Sequence, residues 1–226
     1  MPVHGGPNTV EDGLVLSLDA ADRNSYPGSG TTWSDLSGNG NNGVLTNGPT
    51  FDSGNQGSIV FDGVDDYSLT PLPTPSNPLS VSIWFKQYTQ QNRAHLLGNY
   101  YSYLGKGTNM STYNKRILWY QYSSDFGVGG FGNAGIVGTE YDLNVWNNVV
   151  YWNNTAEYRV YLNGILKAST VDSSWDGAPD LSIGANHGYS NDYFNGEIPV
   201  VKVYNRALTA SEVLQNYNAQ KSRFGL

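Results

Sequence analysis

The sequence predicts an all-β fold, a sandwich of two antiparallel β-sheets with a short C-terminal helix. In several short segments apolar residues alternate with polar ones, at the period of two that is typical of half-buried strands. Segments rich in Gly and Asn, which adopt the positive φ angles of tight turns, separate these runs, and the chain contains 27 glycines. A β-sandwich of 226 residues is commonly one domain. We therefore expect a single domain over residues 1–226, with an N-terminal arm at residues 1–12.

Composition and charge exclude several kinds of partner. The formal net charge is −7 with only 12 Lys and Arg residues, whereas binding to nucleic acid or to an anionic membrane needs a clustered basic surface. The chain has no cysteine, which excludes disulfide bonds and thiolate metal sites. No apolar run approaches the roughly 18 residues of a membrane span, and the N-terminus lacks the basic and apolar regions of a secretory signal. We therefore expect a soluble protein without membrane insertion, made in a cytoplasm and released by a route such as lysis.

The first part of the chain predicts a strand followed by a long ordered loop. Leucines at alternate positions of residues 14–18 predict the strand. Residues 22–49 consist mainly of Gly, Asn, Ser and Asp, with Trp33 and Leu36 as apolar anchors and a short strand at Val44–Leu45. A flexible linker is the alternative interpretation, and the tryptophan argues against it.

The next segments predict a turn, a crossover and a strand that is covered on both faces. Residues 58–69 contain two alternating runs around Asp62–Gly63, which predicts two strands joined by a turn. Four prolines between residues 71 and 78 predict an extended crossover. Residues 80–88 alternate with apolar side chains on one face, while Trp84 lies on the other, so we expect both faces to be buried.

The second half of the chain predicts further strands and one tight hairpin. Asn163–Gly164 separates two alternating runs by two residues, which predicts a type I′ turn with Leu162 opposite Ile165 and Tyr161 opposite Leu166. Pro199 predicts a bulge or an edge position in the last strand. The other predicted strands lie near Leu96, at residues 117–122, near residues 128–131, at residues 146–152 and at residues 181–184.

One helix is predicted, at residues 209–220. Thr209 and Glu212 have the spacing of a capping box, in which each side chain accepts a hydrogen bond from a backbone N–H group of the other. Leu208 and Val213 occupy the two positions of a hydrophobic staple. Because the helix has one apolar stripe, we expect it to pack against the sandwich.

The order of these motifs resembles the laminin-G-like jelly-roll branch of the concanavalin A-like lectin and glucanase superfamily. The most specific segments are FDGVDDY at residues 61–67, the VYLNG hairpin at residues 160–164 and YNRALTASEV at residues 204–213. The segment from residue 13 to residue 51 is also similar to structural proteins of marine tailed phages, especially those that infect cyanobacteria. The family pattern has an acidic residue after the isoleucine of the last strand, where this chain has Pro199.

The resemblance implies no enzyme. Glucanases of this superfamily use two carboxylates on one strand in the pattern E-x-D-x-x-E, one as nucleophile and one as acid. Here Glu140 and Asp142 begin that pattern, but Val145 stands where the second glutamate belongs. The three histidines of the chain are too scattered for a catalytic relay or a zinc site. We therefore predict no catalytic residues and no required cofactor.

Two kinds of binding site are predicted. Asp62, Asp65 and Asp66 lie in one turn, where their oxygens suit a structural calcium ion; the alternative is that Asp62 accepts hydrogen bonds from its own turn. Flat aromatic faces with neighbouring amides suit sugar rings, although packing in the core or between subunits is an alternative for each aromatic residue. The predicted carbohydrate-binding residues are Tyr101, Tyr103, Trp119, Tyr122, Trp175, His187 and Tyr189.

These expectations combine into a first hypothesis of a non-catalytic, lectin-like protein on a virion surface, a fibre or a head decoration, that binds glycans for adhesion or host attachment. A second hypothesis is a purely structural virion protein that uses the sandwich as a building block, assembling as a homo-oligomer or with other virion proteins. A third is a secreted bacterial adhesin with an extracellular location.

Overall fold

The computed structural model describes residues 8–71, 78–91, 94–101, 106–113, 116–122, 137–154, 156–171, 181–185 and 193–226. The strands of these residues form two eight-stranded antiparallel sheets, which confirms the predicted sandwich. In chain order they are β1 (Leu14–Asp19), β2 (Thr32–Trp33), β3 (Gly43–Thr46), β4 (Thr50–Asp52), β5 (Ser58–Asp62), β6 (Tyr67–Thr70), β7 (Leu79–Gln87), β8 (Ala94–Tyr101), β9 (Lys106–Tyr113), β10 (Arg116–Tyr122), β11 (Val137–Glu140), β12 (Asn147–Asn153), β13 (Glu157–Leu162), β14 (Ile165–Val171), β15 (Leu181–Ile183) and β16 (Asn195–Tyr204).

Each sheet combines strands from distant parts of the chain. Sheet A has the order β14-β13-β12-β7-β16-β5-β4, and β1 pairs with the C-terminal part of β16. Sheet B has the order β11-β10-β9-β8-β15-β6-β3-β2. The turn after β5 carries the chain from sheet A to β6 of sheet B. Among the residues described above, none forms a helix long and apolar enough to cross a membrane.

The main core lies between the two sheets and is built from alternate residues of their strands. From sheet A it receives Leu16, Ile83 and Val201, and from sheet B it receives Leu97 and Ile183, all of them fully or almost fully buried. Because side chains of a strand alternate between its faces, the intervening residues of sheet A point away from this core.

A helix covers the outer face of sheet A. It spans α1 (Ala210–Gln220) and continues into a short 3₁₀ turn at Lys221–Phe224. Trp84 of β7 stacks with Phe224 and with Tyr217, with ring centroids 4.3 Å and 5.6 Å away. This confirms that both faces of β7 are covered and that the helix packs on the sandwich.

Local signals in the sequence explain where this helix starts. Thr209 is its N-cap and accepts a hydrogen bond from the Glu212 N–H, while the Glu212 carboxylate accepts one from the Thr209 N–H. Leu208 and Val213 are buried in one apolar cluster with Tyr204. The capping box and the staple predicted from the sequence are both confirmed.

The predicted hairpin and the predicted bulge are also present. Asn163 and Gly164 have φ angles of 53° and 78°, and Leu162 pairs with Ile165 as a two-residue turn requires. On β16 the register opposite β7 shifts between Glu197 and Val200, around Pro199. A proline has no N–H group to donate to the neighbouring strand, which accounts for the irregularity.

The long loop of residues 22–49 is ordered, so the linker interpretation is wrong. Trp33 is fully buried, and β3 includes the predicted short strand. The carboxylate of Asp35 accepts hydrogen bonds from the backbone N–H groups of Ser17 and Asn41, which holds the loop against β1. Leu36 is 39% exposed, so its prediction as an apolar anchor is wrong.

Two predicted elements lie wholly or partly outside the described residues, and four observed strands were not predicted. Residues 72–77 of the crossover and the strand near residues 128–131 lie outside the described residues. The strands β2, β4, β9 and β11 were not predicted. Strand β9 has the sequence KGTNMSTY, which contains one large aliphatic side chain and therefore shows little apolar alternation.

Candidate functional site

The predicted carbohydrate-binding residues fall on different parts of the chain. Tyr103, Trp175, His187 and Tyr189 lie outside the described residues. The other three lie on β8 and β10, the two strands of sheet B that flank β9. Tyr101 is on β8, and Trp119 and Tyr122 are on β10.

The strand register separates these three residues between the two faces of sheet B. Trp119 pairs with Met110 of β9, which pairs with Leu97 of β8, a residue of the main core. The register therefore places Trp119 in the same row as Leu97. Tyr122 is three positions further along and belongs to a row on the outer face.

The outer row of Tyr122 contains a second tyrosine. Tyr122 pairs with Gly107 of β9, and Gly107 pairs with Tyr100 of β8. With neighbouring strands about 4.8 Å apart, the backbones at the two tyrosines are roughly 10 Å apart across the glycine. Tyr101 follows Tyr100 on β8, and the register places it in the next row, on the opposite face.

The neighbouring outer row also has a glycine and polar residues. It runs across five strands, from Tyr120 through Asn109, Gly98 and Ser182 to Leu69. We call these two rows the tyrosine–glycine face. The sequence could not pair Tyr122 with Tyr100, because β9 was not recognised as a strand.

Part of the outer face of sheet B is open to solvent. Val44 of β3 continues the second row beyond Leu69 and is 51% exposed. Ser182 is buried and donates hydrogen bonds to the carbonyl oxygens of Gly98 and Ala185, at 2.9 Å and 2.7 Å. The half-exposed part of this row therefore lies at its β3 end, whereas Gly98 and Ser182 in its middle are buried.

The three aspartates of the predicted calcium site lie together at the turn between the sheets. One carboxylate oxygen from each lies within 4.8 Å of the others. Asp62 Oδ1 accepts a hydrogen bond of 2.7 Å from the Val64 N–H, and Asp66 Oδ2 accepts one of 3.0 Å from the Asp62 N–H. Burial, followed by the charges of Asp62 and Asp65, raises the pKa of Asp66.

The chemistry of this turn fits a hard cation only in part. Three carboxylates are suitable ligands for calcium, and their crowding disfavours ionisation of Asp66 in the absence of a positive charge. Two of them, however, already hold backbone N–H groups of the turn, as the alternative interpretation of Asp62 expects. Asp65 is exposed, and its carboxylate accepts no hydrogen bond among those observed in this turn.

A buried ionic cluster on the outer face of sheet A was missed by sequence reasoning. Glu197 is almost fully buried and accepts hydrogen bonds from Ser58 Oγ at 2.5 Å and from the Tyr88 hydroxyl at 2.7 Å. It also forms an ion pair with Lys86, whose ammonium group lies 4.6 Å from the ring centroid of Trp146. Burial and the Glu197 carboxylate raise the pKa of Tyr88. Because these polar groups satisfy one another, the cluster has a structural role.

The glutamate and aspartate of the incomplete glucanase pattern are not part of this cluster. Glu140 ends β11 and Asp142 follows it, and both are exposed. Val145, at the position of the missing acid, is also largely exposed. A glycosidase holds its two carboxylates at a defined separation in a substrate cleft. Glu140 and Asp142 instead lie exposed on an edge strand and in the loop that follows it.

Solved structures with a similar fold include binding domains. The chain matches domain 4 of AbnA, an extracellular arabinanase from Geobacillus stearothermophilus in complex with arabinotriose, with a TM-score of 0.71 and 19% identity, covering 90% of this chain and 98% of that one. It matches the receptor-binding domain of botulinum neurotoxin type G with a TM-score of 0.70 and 18% identity, covering 92% of this chain and 52% of that one.

A third similar structure is the binding domain of botulinum neurotoxin DC in complex with SialylT, with a TM-score of 0.72 and 14% identity over 93% of this chain and 52% of that one. The chain thus spans about half the length of the toxin domains. A comparison with curated proteins gave no match. The profile of the concanavalin A-like lectin/glucanases superfamily matches residues 61–214. The chain therefore belongs to this superfamily.

Proposed function

We propose that this protein is a non-catalytic, lectin-like virion surface protein that binds glycans through the tyrosine–glycine face of sheet B. The observation that carries the proposal is the outer row in which Gly107 separates Tyr100 from Tyr122. Aromatic rings stack on the apolar side of a sugar, and neighbouring amides such as that of Asn109 bind its hydroxyl groups.

The comparisons support the binding part of this proposal. Two of the similar structures are complexes, one with arabinotriose and one with SialylT. The location on a virion is our proposal alone and rests on the resemblance of residues 13–51 to structural proteins of marine phages. An extracellular adhesin remains the alternative for location, and it uses the same face.

A glycan array with purified protein, run with and without calcium, tests the binding. The variants Tyr100→Ala and Tyr122→Ala should each lower the affinity for the best array ligand at least tenfold, because each removes one stacking surface. Tyr67→Ala is the matched control, since Tyr67 lies on β6 of the same sheet, two strands away from β8. Absence of any ligand above background would contradict glycan binding, and an equal loss in all three variants would contradict the location.

An assembly role is the second candidate, and a different observation favours it. Ile165 and Leu166 on the edge strand β14 and Leu214 on α1 are all between 45% and 59% exposed. Exposed apolar side chains beside an unpaired strand edge favour association. Light scattering after size-exclusion chromatography distinguishes the candidates: a closed oligomer that Leu166→Lys dissociates would support assembly, whereas a monomer would support a binding module alone.

Catalysis is tested separately. We expect no release of reducing sugar from laminarin, agarose or other β-glucans, because the exposed Glu140 and Asp142 lack a second buried acid. Activity in the wild type that disappears in Glu140→Gln would overturn this expectation and make Glu140 and Asp142 the catalytic pair.

A further inference from the structure

Strand β1 has one edge that pairs with a strand and one edge that does not. It pairs with residues 200–204 of β16, and no other strand that the structure describes pairs with it. In an antiparallel pair the N–H and C=O groups of alternate residues point away from the partner strand, so β1 presents a second row of these groups. A row of free backbone groups at a sheet edge is a template for pairing with another chain.

Groups from the loop after β1 bind the residues whose backbone points to this free edge. Asp35 Oδ1 accepts a hydrogen bond of 2.9 Å from the Ser17 N–H, and the Leu36 N–H donates one of 2.8 Å to the Ser17 carbonyl oxygen. Ser25 Oγ accepts one of 3.1 Å from the Asp19 N–H. Ser17 and Asp19 are alternate residues of the strand, as the antiparallel pattern requires.

Two asparagine side chains bind the carbonyl oxygens at the start of the strand. Asn41 Nδ2 donates to the Val15 carbonyl oxygen at 2.9 Å, and Asn39 Nδ2 donates to the Leu14 carbonyl oxygen at 3.3 Å. Residues 34–42 form no strand of their own. Side chains therefore supply most of the hydrogen bonds that a neighbouring strand would supply.

The Asp35 carboxylate orders the loop while it binds the strand. Besides the bond from Ser17, it accepts hydrogen bonds from the Ser37 N–H and hydroxyl at 2.9 Å and 2.7 Å and from the Asn41 N–H at 3.1 Å. The Asp35 N–H in turn donates to Asn42 Oδ1 at 2.9 Å. Ser17 is only 3% exposed, so its backbone groups are closed to another chain while the loop is in place.

We propose that residues 35–41 form a cap that keeps a second copy of this chain from adding a strand to the free edge of β1. A second β1 would suit this edge, because an antiparallel copy presents the same row of N–H and C=O groups at the same spacing. In a pairing centred on Ser17, Leu16 of each copy would lie opposite Leu18 of the other. Polar side chains satisfy the edge without presenting a new row of backbone groups, whereas a further strand would present one.

The cap belongs to sheet A and is independent of the proposed glycan-binding face of sheet B. Light scattering after size-exclusion chromatography tests it. Asp35→Ala should raise the molar mass to about twice the wild-type value as the protein concentration increases, because two opened edges then pair. Asp22→Ala is the matched control and should keep the wild-type mass, because its carboxylate accepts hydrogen bonds from Asn24 in its own turn. A folded Asp35→Ala protein that keeps the wild-type mass at every concentration would overturn the proposal, and so would an equal rise in Asp22→Ala.

A milder variant decides the matter where Asp35→Ala does not fold. Asn39→Ala combined with Asn41→Ala leaves the carboxylate in place and frees only the carbonyl oxygens at the start of β1. This double variant should also gain mass with concentration, and a folded double variant without any gain would overturn the proposal. Asn47→Ala is its control, because Asn47 Nδ2 donates at 2.9 Å to a carbonyl oxygen in a turn and not at a strand edge.

Amide hydrogen exchange locates the contact between copies. In dilute Asp35→Ala the Ser17 amide should exchange about tenfold faster than in the wild type, because it loses its acceptor. The Leu18 amide faces β16 and should keep its wild-type rate. At high protein concentration the protection of Ser17 should return, because a second copy then pairs with it. Self-association that leaves the Ser17 amide in fast exchange would place the contact elsewhere and overturn the proposal.

Discussion

Sheet A and sheet B share one core, but their outer faces differ in what covers them. On sheet A the outward residues Trp84, Val200 and Tyr204 are large and fully or almost fully buried beneath the C-terminal segment. On sheet B the outward rows contain Gly98 and Gly107, and Val44 at their far end is half exposed.

The difference shows how the two outer faces of one sandwich come to have different compositions. A pleated sheet places alternate residues on its two faces, so each outer face has its own composition. Where that composition is apolar, the chain must supply a cover, and the helix α1 with the 3₁₀ turn does so for sheet A. Where it contains glycine and tyrosine, we propose that the face receives a ligand.

The largest expected effect is the loss of an outward residue of sheet A. Trp84→Ala should destabilise the protein by about 3 to 5 kcal/mol, because it removes a buried indole that stacks on Phe224 and Tyr217. Leu69→Ala, on the outer face of sheet B, should cost about 1 kcal/mol or less. Chemical denaturation of both variants measures the loss in the free energy of unfolding. Equal losses in the two variants would show that the helix does not cover sheet A in solution.

A pair of glycines sharpens the comparison. Gly164→Val should destabilise by about 1 to 3 kcal/mol, because φ is 78° and the new Cβ would lie 3.1 Å from Leu214 and 3.2 Å from Tyr217. Gly107→Val, in a strand of sheet B, should keep the melting temperature within about 2 °C but weaken glycan binding by filling the floor between the tyrosines. Thermal melts and binding titrations of both variants distinguish a structural role of Gly164 from a binding role of Gly107. A Gly107→Val variant that loses more stability than Gly164→Val would contradict this assignment.

Much of the fold could be predicted because its signals are local. The capping box of Thr209 and Glu212 and the Asn163–Gly164 turn each act within a few residues, so sequence spacing alone identifies them. Strand β9 could not be predicted in this way. Its pairing with β8 and β10 stabilises it in place of apolar alternation.

The candidate site was harder to predict, because it also depends on pairing between separate strands. Tyr100 and Tyr122 share a row only through Gly107, and such pairing depends on register between distant strands. Trp119 pairs through Met110 with Leu97 instead, which no spacing in the sequence indicates. Glu197 was missed because a glutamate in an apolar strand gives no sign of which side chains will pair with it.

A smaller effect is expected at the start of the helix that covers sheet A. Glu212→Gln should cost about 1 to 2 kcal/mol, because it weakens both the capping box and the two hydrogen bonds from Arg206. Those bonds lower the pKa of Glu212 to about 2. Its contribution is therefore present above the unfolded-state value of 4.5 and is lost as the pH falls towards 2.

Denaturation as a function of pH measures this contribution. The wild type and Glu212→Gln should differ at pH 6 and converge near pH 2. Glu157→Gln is the control, because Glu157 forms a half-buried ion pair with Arg159 within β13 and caps no helix. A Glu212→Gln variant that retains the full pH dependence of the wild type would show that Arg206 does not hold the carboxylate.

The smallest expected effect concerns the turn that joins the two sheets. Calcium at about ten times its Kd should stabilise the wild type by about 1.4 kcal/mol, and Asp65→Asn should remove most of this gain while leaving the hydrogen bonds of Asp62 and Asp66 in place.

Because the pKa of Asp66 is raised, its stabilising contribution without metal is present below the ordinary value of 3.8 and is lost as the pH rises through the folded-state value. A bound cation reverses this preference, since it favours the ionised carboxylate. The calcium gain in melting temperature should therefore be larger at pH 7 than at pH 4. Equal melting temperatures in calcium and in EDTA at pH 7 would contradict calcium binding. The aspartates would then only accept the hydrogen bonds of the turn.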